Sequence, residues 1–166
     1  QIILRGRQPH IDIYSPTSPQ SAQSITRLFA PLGLEVNFAQ SENSFFWPMF
    51  ALRGACSLMC TAYDKPLSQI LKNKPLTLEL ETLLEEFRQL AAVDNILLST
   101  DSVMQNIINI PGGYIFPLHA DFRSGRHRDF NTIYEIISQT ARRGNLKLPH
   151  LNEILTRIYE IYLSIT

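Results

Sequence analysis

The sequence has little glycine and almost no cysteine, and neither charge is in excess. Its seven glycines are Gly6, Gly33, Gly54, Gly112, Gly113, Gly125 and Gly144. No three of them fall in a G-x-G-x-x-G spacing, which excludes the bare-backbone turn that lets a pyrophosphate approach a helix start. Fifteen basic residues offset fifteen acidic ones, so the formal net charge is zero. No global field therefore draws in nucleic acid or an anionic membrane. The basic cluster Arg123, Arg126, His127, Arg128, with Arg142 and Arg143 further on, lacks interleaved aromatics and reads as a solvated rim. The two cysteines, Cys56 and Cys60, stand four apart in an apolar run. That spacing predicts two core thiols on one helix face and fits a reducing cytoplasm. The four histidines have no ligand spacing with each other or with the cysteines, so no metal site is expected. No Ser-His-Asp or Cys-His grouping suggests a nucleophile. A signal-peptide layout is also missing. The chain opens on Gln1 and an isoleucine-rich run, and is expected to begin inside a longer protein.

What is present is mostly helix. "QIILRGRQPHIDIYS" carries two β-prone runs, Ile2–Leu4 and Ile11–Tyr14, around a Gly-Arg-Gln-Pro turn. They read as a hairpin or as two sheet-edge strands, and a lone pair would be marginal in water. Ser18 and Pro19 suit a helix start, and Pro31 and Gly33 its end. "LEVNF" follows as a short strand. The run "SFFWPMFALRGACSLMCTAY" is apolar nearly all round. A membrane span is not expected, because Pro48, Arg53 and Gly54 interrupt it and a central arginine costs about 2.5–3.5 kcal/mol on insertion. A helix buried by its neighbours fits better. Leu76, Leu80, Leu83, Leu84, Phe87, Leu90 and Ala91 form one stripe of a long amphipathic helix. Shorter helices are expected from Thr100, around Pro117–Phe122, from Asp129 to Arg143 with Gly144 as the stop, and over Pro149–Leu163. The last should bury Leu151, Leu155, Ile158 and Tyr162.

The order of these features resembles a known family. The residues that carry the resemblance are Trp47, Asp121, Gly125-Arg126, Asp129, Gly144 and Pro149, within "HADFRSGRHRDF…ARRGNLKLP". Roughly from Ser21 to Tyr162, the chain resembles the carboxyl-terminal domain of the ketopantoate reductases (2-dehydropantoate 2-reductases), NADPH-dependent enzymes of pantothenate biosynthesis. The resemblance implies a mainly α fold like the 6-phosphogluconate dehydrogenase C-terminal-like domain, with an N-terminal β remnant. It implies that residues 1–38 are the tail of a Rossmann-type domain otherwise absent from the chain, and that residues 39–166 are the helical domain. NADP would be the cofactor of an intact member, and none is expected in this chain. The partners expected are a small 2-oxo acid or another small anion, and a second copy of the chain as a homodimer. Nucleic acid and membrane are not expected.

The resemblance also locates a site. The family's catalytic lysine, two residues after the tryptophan, is replaced by Met49, whose thioether cannot donate a proton. Substrate-binding asparagines become Arg53 and Ser57, and a substrate-binding serine becomes Pro117. The acidic residue that opens the penultimate helix is kept as Asp129. Arg53 is the candidate substitute for the lysine, and Arg53, Ser57 and Asp129 are the candidate substrate-binding residues. Each also has a plainer reading. Asp129 suits a helix cap. Arg53 can run its stem along apolar surface to water. Trp47 and Met49 read as core. Two functions follow: the substrate half of a reductase, or a binding module that has lost catalysis, a pseudoenzyme.

Overall fold

The computed structural model describes residues 10–13, 19–39, 41–126 and 128–165; side chains at 10–12, 19–22, 128, 129, 164 and 165 are not described. The chain divides into two compact units, Gln1–Pro48 and Met49–Thr166. The expected boundary after residue 38 closes the same strand-helix-strand segment and assigns the start of the next helix to the second part.

In the first unit, strand β1 (His10–Ile13) is followed by helix α1 (Pro19–Phe29), a 3-10 turn (Ala30–Leu32) and strand β2 (Glu35–Phe38). Gly33 closes the turn at φ 68°, a left-handed conformation that suits glycine. β1 and β2 are parallel, in the register His10 to Glu35 through Ile13 to Phe38. Parallel neighbours cannot share a tight turn and need a crossover, which α1 supplies. β1, which covers most of the second expected run, pairs with the "LEVNF" strand. Ile2–Leu4 lies outside the described residues.

Helix α2 (Glu42–Ala62) starts on a reciprocal serine cap. The Ser44 backbone N–H donates to Ser41 Oγ at 3.1 Å, and the Ser41 N–H donates to Ser44 Oγ at 2.9 Å. Pro48 sits inside the helix and offers no N–H to the carbonyl four residues back. The unit boundary falls beside it.

The second unit is helical: the rest of α2, then α3 (Leu67–Lys72), α4 (Lys74–Val93), α5 (Thr100–Ile108), α6 (Pro117–Arg123), α7 (Arg128–Gly144) and α8 (Pro149–Ile165). α4 is the central element and packs against α3, α5, α7 and α8. All seven residues of its predicted stripe are buried. α2 meets it where Phe50 packs edge-on to Phe87, centroids 5.6 Å apart. A Cβ on Gly54 would lie 2.9 Å from Phe87 Cζ, so only glycine fits this crossing without the ring moving. Cys56 and Cys60 are buried and unbridged, as the spacing predicts. Among the described residues no helix is long and apolar enough to cross a membrane.

α8 has an unusual start. Leu148 precedes it and carries no capping group. Its first donors are met instead from α4, where buried Glu86 accepts the N–H of His150 at 3.0 Å and of Leu151 at 2.6 Å. A carboxylate at a helix N-terminus also opposes the helix dipole favourably.

Candidate functional site

Phe50, Arg53, Gly54 and Ser57 recur at i, i+3, i+4 and i+7 on α2, so they share one face. Opposite them stand Phe116, Pro117 and Leu118 at the start of α6, and Thr132, Ile133 and Ile136 of α7. Together they enclose a cavity of about 270 Å³, entirely within the second unit. The structure thus brings together three positions picked from sequence, Arg53, Ser57 and Pro117. Asp129 lies in the first turn of α7, and its side chain is outside the described set.

Most of the cavity wall is hydrocarbon or aromatic ring, and among the described residues Arg53 is its one charge. Arg53 is exposed, and among the described residues no carboxylate pairs with it. Its stem reaches water, as the plainer reading holds, and the residue also lines the cavity. Ser57 is 5% exposed. Its carbonyl accepts from Thr61 Oγ1 at 2.7 Å, and among the described residues its own hydroxyl has no partner. A guanidinium at the rim and a buried hydroxyl one turn deeper can together take a carboxylate or a carbonyl oxygen.

Trp47 is buried, as expected, but Met49 is 40% exposed and is not core. The helical register explains the difference. Met49 lies one turn before Arg53, on the side of α2 where Arg53 is also exposed.

The α6 wall is held by a cluster that sequence reading did not find. Asp64, just past α2 and at φ 45°, accepts from His119 Nε2 at 2.9 Å and Arg123 Nε at 2.8 Å. The Arg123 guanidinium, and then His119, hold its carboxyl below the ordinary range. These partners are 55 and 59 residues away in sequence. The only local signal is an aspartate before Lys-Pro, which reads as a turn. Other members of the basic cluster are likewise paired, Arg126 with Asp121 and Arg143 with Asp94. Paired charges project a weaker field than the sequence suggests.

A second cavity of about 510 Å³ lies between α7 and α8, walled by Phe130, Tyr134, Leu155 and Tyr159 among others. Among the described residues no charged side chain lines it. Among the described residues no group of His, Cys, Asp and Glu could hold a metal ion.

Neither the sequence between β1 and α1 (residues 14–18) nor that between β2 and α2 (residues 39–41) contains a glycine, so neither carries the glycine spacing by which a helix start takes pyrophosphate.

The helices of the second unit match the helical C-terminal domain of the ketopantoate reductase fold. Solved structures of that fold match the chain. D-mandelate dehydrogenase, in its ternary structure with NADH and anilino(oxo)acetate, aligns with a TM-score of 0.76 at 17% identity, over 94% of this chain and 67% of that one. The same enzyme in complex with NADH aligns at 0.75 and 17%, over 95% and 55%. A dimeric ketopantoate reductase from Staphylococcus aureus aligns at 0.73 and 16%, over 96% and 56%. The chain thus spans between about half and two thirds of the length of these proteins. No family model matches the sequence, and no curated protein matches it.

Proposed function

We propose that this chain is the substrate-binding helical domain of a ketopantoate reductase-like, NADPH-dependent oxidoreductase, and that it holds a small 2-oxo acid by its carboxylate. The observation that carries this reading is Arg53 and Ser57 on one stripe of α2, facing a cavity closed by α6 and α7. Arg53 takes the carboxylate at the rim, and the Ser57 hydroxyl meets the ligand's oxygen deeper in. Asp129 stands three, four and seven residues before Thr132, Ile133 and Ile136. That is the spacing of one helix face, and Asp129 is proposed as the group that orients Arg53. The cofactor belongs to residues outside this chain. The solved structures support the reading through their fold, and two of them carry NADH.

Met49 favours a second reading, a non-catalytic binding module. A thioether cannot protonate a ketone oxygen, and Met49 stands at the position of the family's lysine. The two readings share the binding step and differ in turnover. NMR titration of the chain with a small 2-oxo acid should show saturable shifts on α2, α6 and α7, and Arg53→Met should abolish them. Shifts unaffected by Arg53→Met would refute the site. For Asp129, the cycle of Arg53→Met, Asp129→Asn and both should give a coupling of about 0.5–3 kcal/mol if the two side chains meet. Simple additivity would leave Asp129 as a helix cap.

A further inference from the structure

α2 ends on a residue type that its backbone does not favour. Asp64 has a φ of 45°, the left-handed conformation in which a helix end usually places glycine. The hydrogen bonds are those of a Schellman turn. The Asp64 N–H donates to the Thr61 carbonyl at 3.2 Å, and the Lys65 N–H donates to the Cys60 carbonyl at 3.1 Å. Glycine would close this turn without strain, so the turn does not account for the aspartate. Its carboxylate does. Oδ1 accepts from His119 Nε2 at 2.9 Å and from Arg123 Nε at 2.8 Å, two residues at i and i+4 on one face of α6. α6 has little else to fix its position. It is seven residues long, and its N-cap, Phe116, makes no side-chain capping bond. So short a helix does not hold itself together in water. Leu118 and Phe122 bury apolar surface, but that attraction is non-directional. The Phe122 ring packs edge-on against Phe130, centroids 5.9 Å apart, which ties α6 to α7. The Asp64 bonds tie it to α2, and a hydrogen bond sets both a distance and an angle. His119, 6% exposed, directly follows Pro117 and Leu118, which line the cavity with Arg53 and Ser57.

We infer that Asp64 is a positioning residue of the ligand cavity: fixed at the end of α2 and bonded to His119 and Arg123, it sets the spacing between the α2 wall, with Arg53 and Ser57, and the α6 wall, with Pro117 and Leu118. This rests on the reading that Arg53 binds a carboxylate in that cavity. Asp64 does not line the cavity itself and acts through His119. Its side chain is 68% exposed, so water screens the bonds, and such a pair shifts an equilibrium by no more than about fivefold. A wall that is out of place part of the time lowers apparent affinity in proportion to the fraction misplaced.

The test compares the full chain with Asp64→Gly, Asp64→Asn, His119→Leu and Arg53→Met. Glycine and asparagine both suit the left-handed turn, but only asparagine keeps an oxygen that accepts from His119. Two quantities are read: the affinity for 2-oxobutanoate by NMR titration, and hydrogen exchange of the α6 amides without ligand. Asp64→Gly should weaken affinity about two- to fivefold and speed exchange in α6 while α4 is unchanged. Asp64→Asn should recover most of both. His119→Leu should reproduce the loss, and adding it to Asp64→Gly should cost little more, because the two act through one bond. Unchanged α6 exchange in Asp64→Gly would overturn the inference whether or not the acid binds. Faster exchange with an unchanged affinity that still needs Arg53 would overturn it too, and would leave the carboxylate site standing. If affinity does not depend on Arg53, the carboxylate site fails, and this role for Asp64 fails with it.

Discussion

α2 and α4 are neighbours of nearly equal length, 21 and 20 residues, and both are rich in large apolar side chains. They are used differently. α4 is surrounded by four helices, and its leucine stripe is sealed. α2 is buried all round from Gly54 to Ala62, yet Phe50, Arg53, Gly54 and Ser57 along one stripe line a cavity. Amphipathicity marks a helix with one wet side. A helix that is apolar all round can still have an unfilled side, and that side is where a ligand can sit.

The comparison breaks most easily on α4. Leu83→Ala should cost about 2–5 kcal/mol through the cavity it leaves. A urea midpoint that did not move would mean that the stripe is not sealed. Carboxylate binding per folded molecule should not change, because Leu83 lines no part of the cavity.

Glu86→Ala is expected to have the next largest effect. It strands two N–H groups at the start of α8, and hydrogen bonds to a charged group contribute about 1.5–3 kcal/mol each. Hydrogen exchange should show the first turn of α8 opening before the rest of the helix. Uniform protection along α8 would argue against the cap.

Gly54→Ala sharpens the comparison because it touches both helices. Its methyl group would displace the Phe87 ring, at a cost of about 1–3 kcal/mol for overpacking. Phe50 leans on the same ring, so ligand affinity should change along with stability. A change in stability alone would separate the floor of the cavity from its contents.

Alkali should give a smaller effect. Burial first, and for Cys56 also its neighbour Cys60, push both thiols above the ordinary value of 9.0, Cys60 to about 12. A folded-state pKa above the unfolded one means the folded chain holds its proton longer. The stabilisation is complete below about pH 9 and is lost as pH rises toward 12. The thermal midpoint should therefore fall in that window, and Cys60→Ala should lessen the fall. The same midpoint profile in both proteins would assign the alkaline loss to other groups.

Sequence made the sealed side legible and the open side only partly so. The α4 stripe could be read in full because its apolar residues alternate with charges at helical spacing. α2 has almost no such contrast, so only Arg53, the single charge in its run, marked the face that opens. Met49 was expected in the core for the same reason. Glu86 was hidden because a glutamate beside a leucine stripe looks like a solvent residue. The missing cap at Leu148 was the available clue, since those donors had to be met from elsewhere. The Asp64 cluster joins residues more than fifty positions apart, and no local pattern encodes that. The parallel pairing of β1 with β2 was likewise a choice of partner, which short β-prone runs do not specify.

The most direct test is Arg53→Met measured twice, once for stability and once for carboxylate binding. Arg53 is exposed at the open side of α2, and surface substitutions usually move stability by no more than about 0.5 kcal/mol. The expected result is an unchanged unfolding midpoint with binding of a 2-oxo acid lost. A variant that unfolds earlier yet binds the acid as before would make Arg53 a structural residue, and would contradict the assignment of this cavity as the binding site.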